Sequence, residues 1–379
     1  MVGVLTAVGL AIAALALLVY VGFLAARYFF VPRYPDAIHF AGTEDGWRIA
    51  LVRYRPAGGD SGAPVEPLLL VHGLGANRYN FDLTDDHSLA LDLSRQGHDV
   101  WLVELRGRGF STRPRLFSGI RYDWSFDDYA ERDLPAAARE VLRATGSSRL
   151  HLVGFSSGAL ACYAWLSDPH RQIEVGSLVS IAGPATFRRA GSHLSGRLLR
   201  HLRWLRHRFL MRVLAPVSGY FHPAPLQIIH NPENTAGEVQ RRAMVNLIAN
   251  FSRNELLQYG DWLEHNTFRS IDQRRDYRAE LSRISVPSLF IAGARDILAP
   301  PDAVKDAYEA ISAPEKRFVI CSRAQKFSVN YGHFDLLVGN TARVEVYPLV
   351  ADWLARYGAG RAAAAEPEEG GGREGAEAG

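Results

Sequence analysis

Apolar residues run unbroken at the start of the chain and thereafter fall into short, separated stretches. From Val2 to Ala26 there is no charged residue, and the stretch is rich in Leu, Ala and Val. As a helix it is long enough to cross a hydrocarbon core of about 30 Å. Arg27, Tyr28, Phe29, Phe30 and Arg33 follow, a pattern of aromatic rings and arginines that suits a membrane boundary. A cleaved signal peptide is the competing reading. No Lys or Arg precedes the run, however, and the run exceeds the usual apolar region of a signal, so an uncleaved anchor over residues 1–34 is expected. Positive charges lie only on its C-terminal side, which places the remainder of the chain in the cytoplasm by the positive-inside rule.

Between residues 35 and 357 short apolar runs alternate with amphipathic patterns. The candidate strands are Trp47–Tyr54, Pro67–Val71, Asp99–Val103, Leu150–Phe155, Gly176–Ala182, Ser288–Ala292 and Arg317–Cys321. Candidate helices are Leu89–Gln96, Phe126–Ala144, Ser157–Ser167 and Pro301–Ile311, and Asn340–Tyr357 reads as a closing amphipathic helix. Such alternation predicts an α/β fold, a mostly parallel twisted sheet with helices on both faces. One segment, about 184–284, has helical patterns and no convincing strand, and reads as an inserted helical cap. Residues 358–379 shift to Gly, Ala and Glu and are expected to be a disordered tail. No internal repeat is seen.

Composition narrows the class. The 379 residues are 47% hydrophobic and 22% charged, enough for one large core and without a fibrous signature. A net charge of +3 makes no case for nucleic acid. Cys162 and Cys321 cannot form a disulfide framework and lie in no Cys/His cluster, so they read as small buried residues and no metal site is expected.

The chemistry centres on Gly154, Phe155, Ser156, Ser157 and Gly158, between the apolar run Leu150–Val153 and the helix-compatible stretch Ala159–Trp165. Strand, sharp turn and helix with serine at the turn is the arrangement that raises a hydroxyl above a sheet edge, and flanking glycines allow the close approach. A glycine-rich connection is the plain alternative for the pentapeptide alone.

With His72, Gly73, Leu74, Gly75 after an earlier strand, and the turn Glu104, Leu105, Arg106, Gly107, Arg108, Gly109, this motif resembles the α/β-hydrolase fold over about Pro35–Tyr357. Trp124–Ala137 (with Asp133, Leu134, Pro135 and Ala136), Asn231, Pro232, Glu233, Asn234, and Gly332, His333, Phe334, Asp335, Leu336 are similar to acid-lipase-like and polyhydroxyalkanoate-synthase-like members. The synthases use a cysteine nucleophile; serine at 156 favours hydrolysis over polymer synthesis.

The resemblance implies a chain order of Ser, acid, His. Asp296 follows the run Ser288–Ala292, at the end of a strand where open sheets hold their sites; the alternative acid position offers only Gly183, Pro184 and Ala185. Capping of the helix from Pro301 is the plain role for Asp296. His333 lies in a loop after the last candidate strand, where this fold delivers its histidine, and Asp335 reads as a local hydrogen-bonding or capping residue. By family geometry the oxyanion hole is made by the backbone N–H groups of Leu74 and Ser157, while His72 supports the loop.

Between Arg188 and Arg212 stand eight arginines, three histidines and no acid, with Leu194, Leu198, Leu202, Leu205, Phe209 and Val213 at helical spacing. A basic amphipathic helix suits an anionic bilayer surface; equally, its apolar stripe can pack on the core while the arginines face water. A grip on the phosphate of an acyl-CoA or phospholipid is a third reading. The expected activity is hydrolysis of carboxylic esters, lipophilic ones above all, by a membrane-anchored serine hydrolase that needs no cofactor. Acyl transfer or thioester cleavage on the same residues, and an inactive tethered binding protein, are the alternatives.

Overall fold

A computed structural model of the chain describes residues 2–57, 65–114, 120–188, 196–201, 206–220 and 231–358. The tail expected at 358–379 lies outside these beyond Gly358, as do Arg189, Leu194, Leu202, Arg203 and Leu205 of the basic segment.

Helix α1 spans Val2–Tyr28 and is long and apolar enough to cross a membrane, with the central stretch fully exposed. Eight strands follow: β1 (Ala37–Gly42), β2 (Arg48–Tyr54), β3 (Leu68–Val71), β4 (Val100–Glu104), β5 (Arg149–Phe155), β6 (Glu174–Ile181), β7 (Ser288–Gly293) and β8 (Lys316–Cys321). They form one sheet in the order β1-β2-β4-β3-β5-β6-β7-β8, antiparallel at β1/β2 and β2/β4 and parallel thereafter. Parallel strands need crossover helices, and these cover both faces. Helix α2 (Leu89–Arg95) packs with the last helix, Tyr347–Arg356, on one side; α3 (Leu134–Thr145) and α4 (Ser157–Leu166) lie on the other. Strands β3, β4 and β7 are buried along their full length, which is why they read as continuous apolar runs.

All seven expected strands are present, with ends shifted by one or two residues. Strand β1 was not expected: it is an edge strand, half exposed, and its sequence AIHFAG carries two alanines and a glycine where an apolar run would signal a strand. The helix expected at Phe126–Ala144 instead begins as a π-turn, Tyr129–Asp133, before α3. Pro135 cannot donate to the carbonyl four residues back, and the wider turn aims Asp133 at Arg106. The closing helix is likewise two pieces, Ala342–Glu345 and Tyr347–Arg356, because Pro348 supplies no N–H to Val344.

Among the described residues the segment between β6 and β7 holds helices and a single isolated bridge, Arg269 to Asp276, as expected of the cap. Its main helices are α5 (Gly196–His201), α6 (His207–Leu214), α7 (Gly237–Asn246) and α8 (Arg253–His265). Among its described residues the basic stretch shows two short helices separated at the non-helical Arg206, and residues 189–195 and 202–205 lie outside the described set.

Candidate active site

Ser156 stands between the C-terminal end of β5 and the first turn of α4, at φ 54° and ψ −120°, a conformation L-residues rarely adopt. Two glycines permit it. A Cβ on Gly154 would lie 2.5 Å from Ala159 Cα, and one on Gly158 would strike the carbonyl of Val71 in β3. The strand–turn–helix packs only without those side chains, and the serine is pushed above the sheet, partly exposed.

Two loops deliver its partners. After β7 the chain turns so that Asp296 Oδ1 accepts from Leu298 N at 2.9 Å and Ala299 N at 2.8 Å, which fixes the carboxylate and leaves Oδ2 free to face His333. His333 Nδ1 lies 2.7 Å from that oxygen and Nε2 lies 3.0 Å from Ser156 Oγ. Both His333 and Asp296 are buried. With Nδ1 turned to the Asp296 carboxylate, Nε2 is the ring nitrogen that faces the serine hydroxyl. Asp296 therefore serves both its local turn and His333. Asp335 does not face His333. It is buried beneath the loop and accepts from Gly332 N at 3.0 Å, Asn231 N at 3.1 Å and Asn234 Nδ2 at 3.2 Å. These contacts account for the motif at 231–234, which ties the cap's return to the histidine loop.

The loop from His72 to Gly75 passes beside the serine: a Cβ on Gly73 would lie 3.4 Å from Ser156 Cβ. Ser157 opens α4, so its N–H is among those a helix start leaves without an internal acceptor, and the helix dipole adds to its pull on negative charge. His72 is fully enclosed. Leu105 N donates to its Nε2 at 3.3 Å, so Nδ1 carries the proton and donates to Gly73 O at 2.9 Å. Burial drives its pKa down to about 3, and the ring remains neutral as a brace.

The arginine turn after β4 joins the site to the cap. Arg106 binds Asp133 at 2.8 Å, and Arg108 binds Glu255 of α8 at 2.8 Å, both pairs being buried. Two contacts over the site have no signal in the sequence. The Tyr259 hydroxyl, also on α8, hydrogen-bonds Ser157 Oγ, and the Phe251 ring occupies the space beside Gly75. Both partners are distant in sequence, so only the folded chain reveals them. Beside Phe334 an apolar pocket is lined by Met211, Met244, Leu247, Ile248 and Val338. Among the described residues no group of three His, Cys, Asp or Glu side chains is placed to hold a metal. Both cysteines are buried and free.

The family described as alpha/beta hydrolase fold matches residues 66–340. Lipase member K of Homo sapiens is 26% identical over 356 residues, 83% of this chain and 86% of that protein. Gastric triacylglycerol lipase of Homo sapiens is 29% identical over 224 residues, 57% of this chain. The chain spans 53% of the gastric lipase and 33% of a Schizosaccharomyces pombe relative that is 32% identical over 153 residues. Among solved structures, a hydrolase from Pseudomonas aeruginosa matches with a TM-score of 0.54 at 20% identity, over 86% of this chain and 99% of that one; at such identity the likeness shows the fold.

Proposed function

The chain belongs to the α/β-hydrolase fold family, and from that premise we propose that it is a membrane-anchored serine hydrolase that cleaves lipophilic carboxylic esters through an acyl-enzyme. The observation that carries this reading is His333, in hydrogen-bond reach of Ser156 Oγ on one side and Asp296 on the other. In this mechanism Ser156 attacks the ester carbonyl while His333 Nε2 takes its proton, and Asp296 holds the imidazole in the right tautomer and stabilises the imidazolium. The N–H groups of Leu74 and Ser157 receive the oxyanion; losing one such donor raises the barrier by about 3 kcal/mol. His333 then protonates the leaving alcohol. Water, deprotonated by His333, attacks the acyl-enzyme and releases the acid.

The lipophilic part rests on the relatives named as lipases and on the apolar pocket beside Phe334. Retention of α1 as an anchor is supported by its packing: Gly22 faces Val213 and Phe209 of α6, and Ala25 is buried with Ala215, Met244 and Val245. A segment to be cleaved would leave that cap surface bare. Placement of the catalytic unit in the cytoplasm follows from the charges beyond Ala26.

A fluorophosphonate probe tests the chemistry. Labelling at Ser156, lost in Ser156→Ala, is expected; absence of labelling in folded protein refutes it and leaves the inactive binding protein. Turnover of nitrophenyl esters of increasing acyl length, with and without anionic vesicles, tests the substrate class. A preference for acetate that ignores vesicles defeats the lipophilic reading.

A further inference from the structure

The chain's buried arginines are paired. Arg78 meets Glu104 at 2.7 Å, Arg106 meets Asp133 at 2.8 Å and Arg108 meets Glu255 at 2.8 Å. Arg208 and Arg212 break that rule. They stand one turn apart on α6, on the same face and partly buried, and among the described residues no carboxylate reaches either guanidinium. Arg212 Nε is buried without a hydrogen-bond partner. Arg208 has its pKa pulled down to about 10, by burial first and then by the positive charges of Arg212 and Arg113, and burial alone lowers that of Arg212. A desolvated pair of like charges destabilises the fold that holds it. An anion bound between the two guanidiniums relieves that cost.

Where the pair sits says which anion. The same helix turns Phe209 and Val213 toward Gly22 of α1, and its Met211 packs with Ala26 and Phe29 of the α1 end against the cluster of Ala25, Ala215, Met244 and Val245. The uncharged run of α1 ends at Ala26. Helix α6 is therefore held where the hydrocarbon ends and lipid headgroups begin, if α1 spans the bilayer as proposed. On its other side α6 packs against the segment Asn250–Phe251. Arg208 N donates to Asn250 Oδ1 at 3.2 Å, and the next residue, Phe251, lies against Gly75 in the loop that carries Leu74. We propose that Arg208 and Arg212 bind the phosphate of a membrane phospholipid, so that an ester of the same lipid is presented to Ser156. The substrate half of this proposal rests on the hydrolase reading above; the binding half rests only on the arginines and their place beside α1.

The test uses the full chain in uncharged detergent micelles. Titration with dioleoyl phosphatidylglycerol is expected to raise the thermal midpoint, whereas dioleoylglycerol, which has the same chains and no phosphate, does not. In R208Q/R212Q the midpoint without lipid should be higher, because the repulsion is gone, and the lipid-dependent rise should vanish. The ratio of kcat/KM for phosphatidylglycerol to that for nitrophenyl octanoate should fall by about tenfold, the weight of one lost charged hydrogen bond. A rise that persists in the double variant, or that wild type never shows, overturns the site. An equal rise with inorganic phosphate at the same concentration overturns the lipid assignment in favour of a free anion. If the double variant does not fold, Arg212→Gln alone should reduce the rise by at least half, and an undiminished rise again overturns the proposal. Wild type that ignores every ester yet keeps the lipid-dependent rise defeats the hydrolase reading and leaves the phosphate site standing.

Discussion

Ser156 is held in a backbone conformation that strains an L-residue, and its surroundings divide into groups that hold the fold and groups that react in the proposed mechanism. Asp296 does both. Its Oδ1 serves Leu298 and Ala299 while Oδ2 faces His333, so Asp296→Asn can keep the turn with its carbonyl oxygen and present an NH2 to His333 Nδ1. On the proposed chemistry that imposes the wrong tautomer, and kcat should fall by about 10³–10⁴ with an unchanged thermal midpoint. A fall in the midpoint parallel to activity would instead assign Asp296 to the turn alone. His207 is the opposite case, a buried ring against Phe251 with both nitrogens unpartnered. Replacement by Leu removes that defect and should stabilise by about 1 kcal/mol at pH 7.5. Burial, then Arg108, lowers the folded pKa from 6.5 to about 4. The unfolded chain therefore takes up a proton below pH 6.5 that the folded chain refuses until about pH 4, and native stability falls across that window. Leu cannot titrate, so the advantage of His207→Leu over wild type should widen between pH 7.5 and pH 5.5. Equal advantages at the two values would show that the ring is not desolvated as described.

The strand ends that carry Ser156 and Asp296 are readable in the sequence because a buried parallel strand is a nearly unbroken apolar run and the candidate residue follows it closely. His333 is readable by its place instead, a glycine-preceded loop between the last strand, β8, and the closing helices. What sequence periodicity cannot show is how the cap is fastened. Tyr259 lies 102 positions from Ser157, and Glu255 lies 147 from Arg108, so neither pairing leaves a local pattern. Edge strand β1 is lost for a related reason, since half its face needs no apolar residue. The Arg108–Glu255 pair is the strongest of these fastenings: Arg108 also donates to Asn250 O and Tyr129 OH, and Glu255 accepts from Ser252 N at the start of α8. Arg108→Met leaves a buried carboxylate uncompensated and should destabilise by about 3–5 kcal/mol, whereas R108M/E255M, with neither charge present, should recover most of the loss. Urea midpoints of the three proteins measure this; a double variant no better than the single would mean that the backbone contacts, and not the charge pair, secure the cap.

At the scale of the whole molecule, α1 and the catalytic unit are joined firmly rather than by a loose tether. Val31 N donates to Asn246 Oδ1 at 3.1 Å, Tyr79 OH donates to Val31 O at 2.6 Å, and Arg33 binds Asp82 at 2.6 Å. The C-terminal third of α1 meanwhile lies on α6, and α6 adjoins the Phe251 that backs the loop of Leu74. A disturbance where α1 meets the cap should therefore reach the loop of Leu74, the proposed oxyanion loop, through two packed contacts. Gly22 allows this to be tested within an apolar helix. A Cβ there would lie 3.2 Å from Val213 Cγ2 and 3.5 Å from the Phe209 ring, so the longer branches of isoleucine have nowhere to go unless α6 moves. Gly9 has nothing within 4 Å of the same position and takes isoleucine freely. Both substitutions make α1 equally more hydrophobic, so their effects on membrane insertion should match. Turnover of a long-chain ester in anionic vesicles is expected to fall on the order of tenfold for Gly22→Ile, the scale of a sub-ångström misplacement at a reacting centre, and to stay at wild-type level for Gly9→Ile. Equal activity in the two variants would mean that α1 only tethers the protein and that the cap works independently of it.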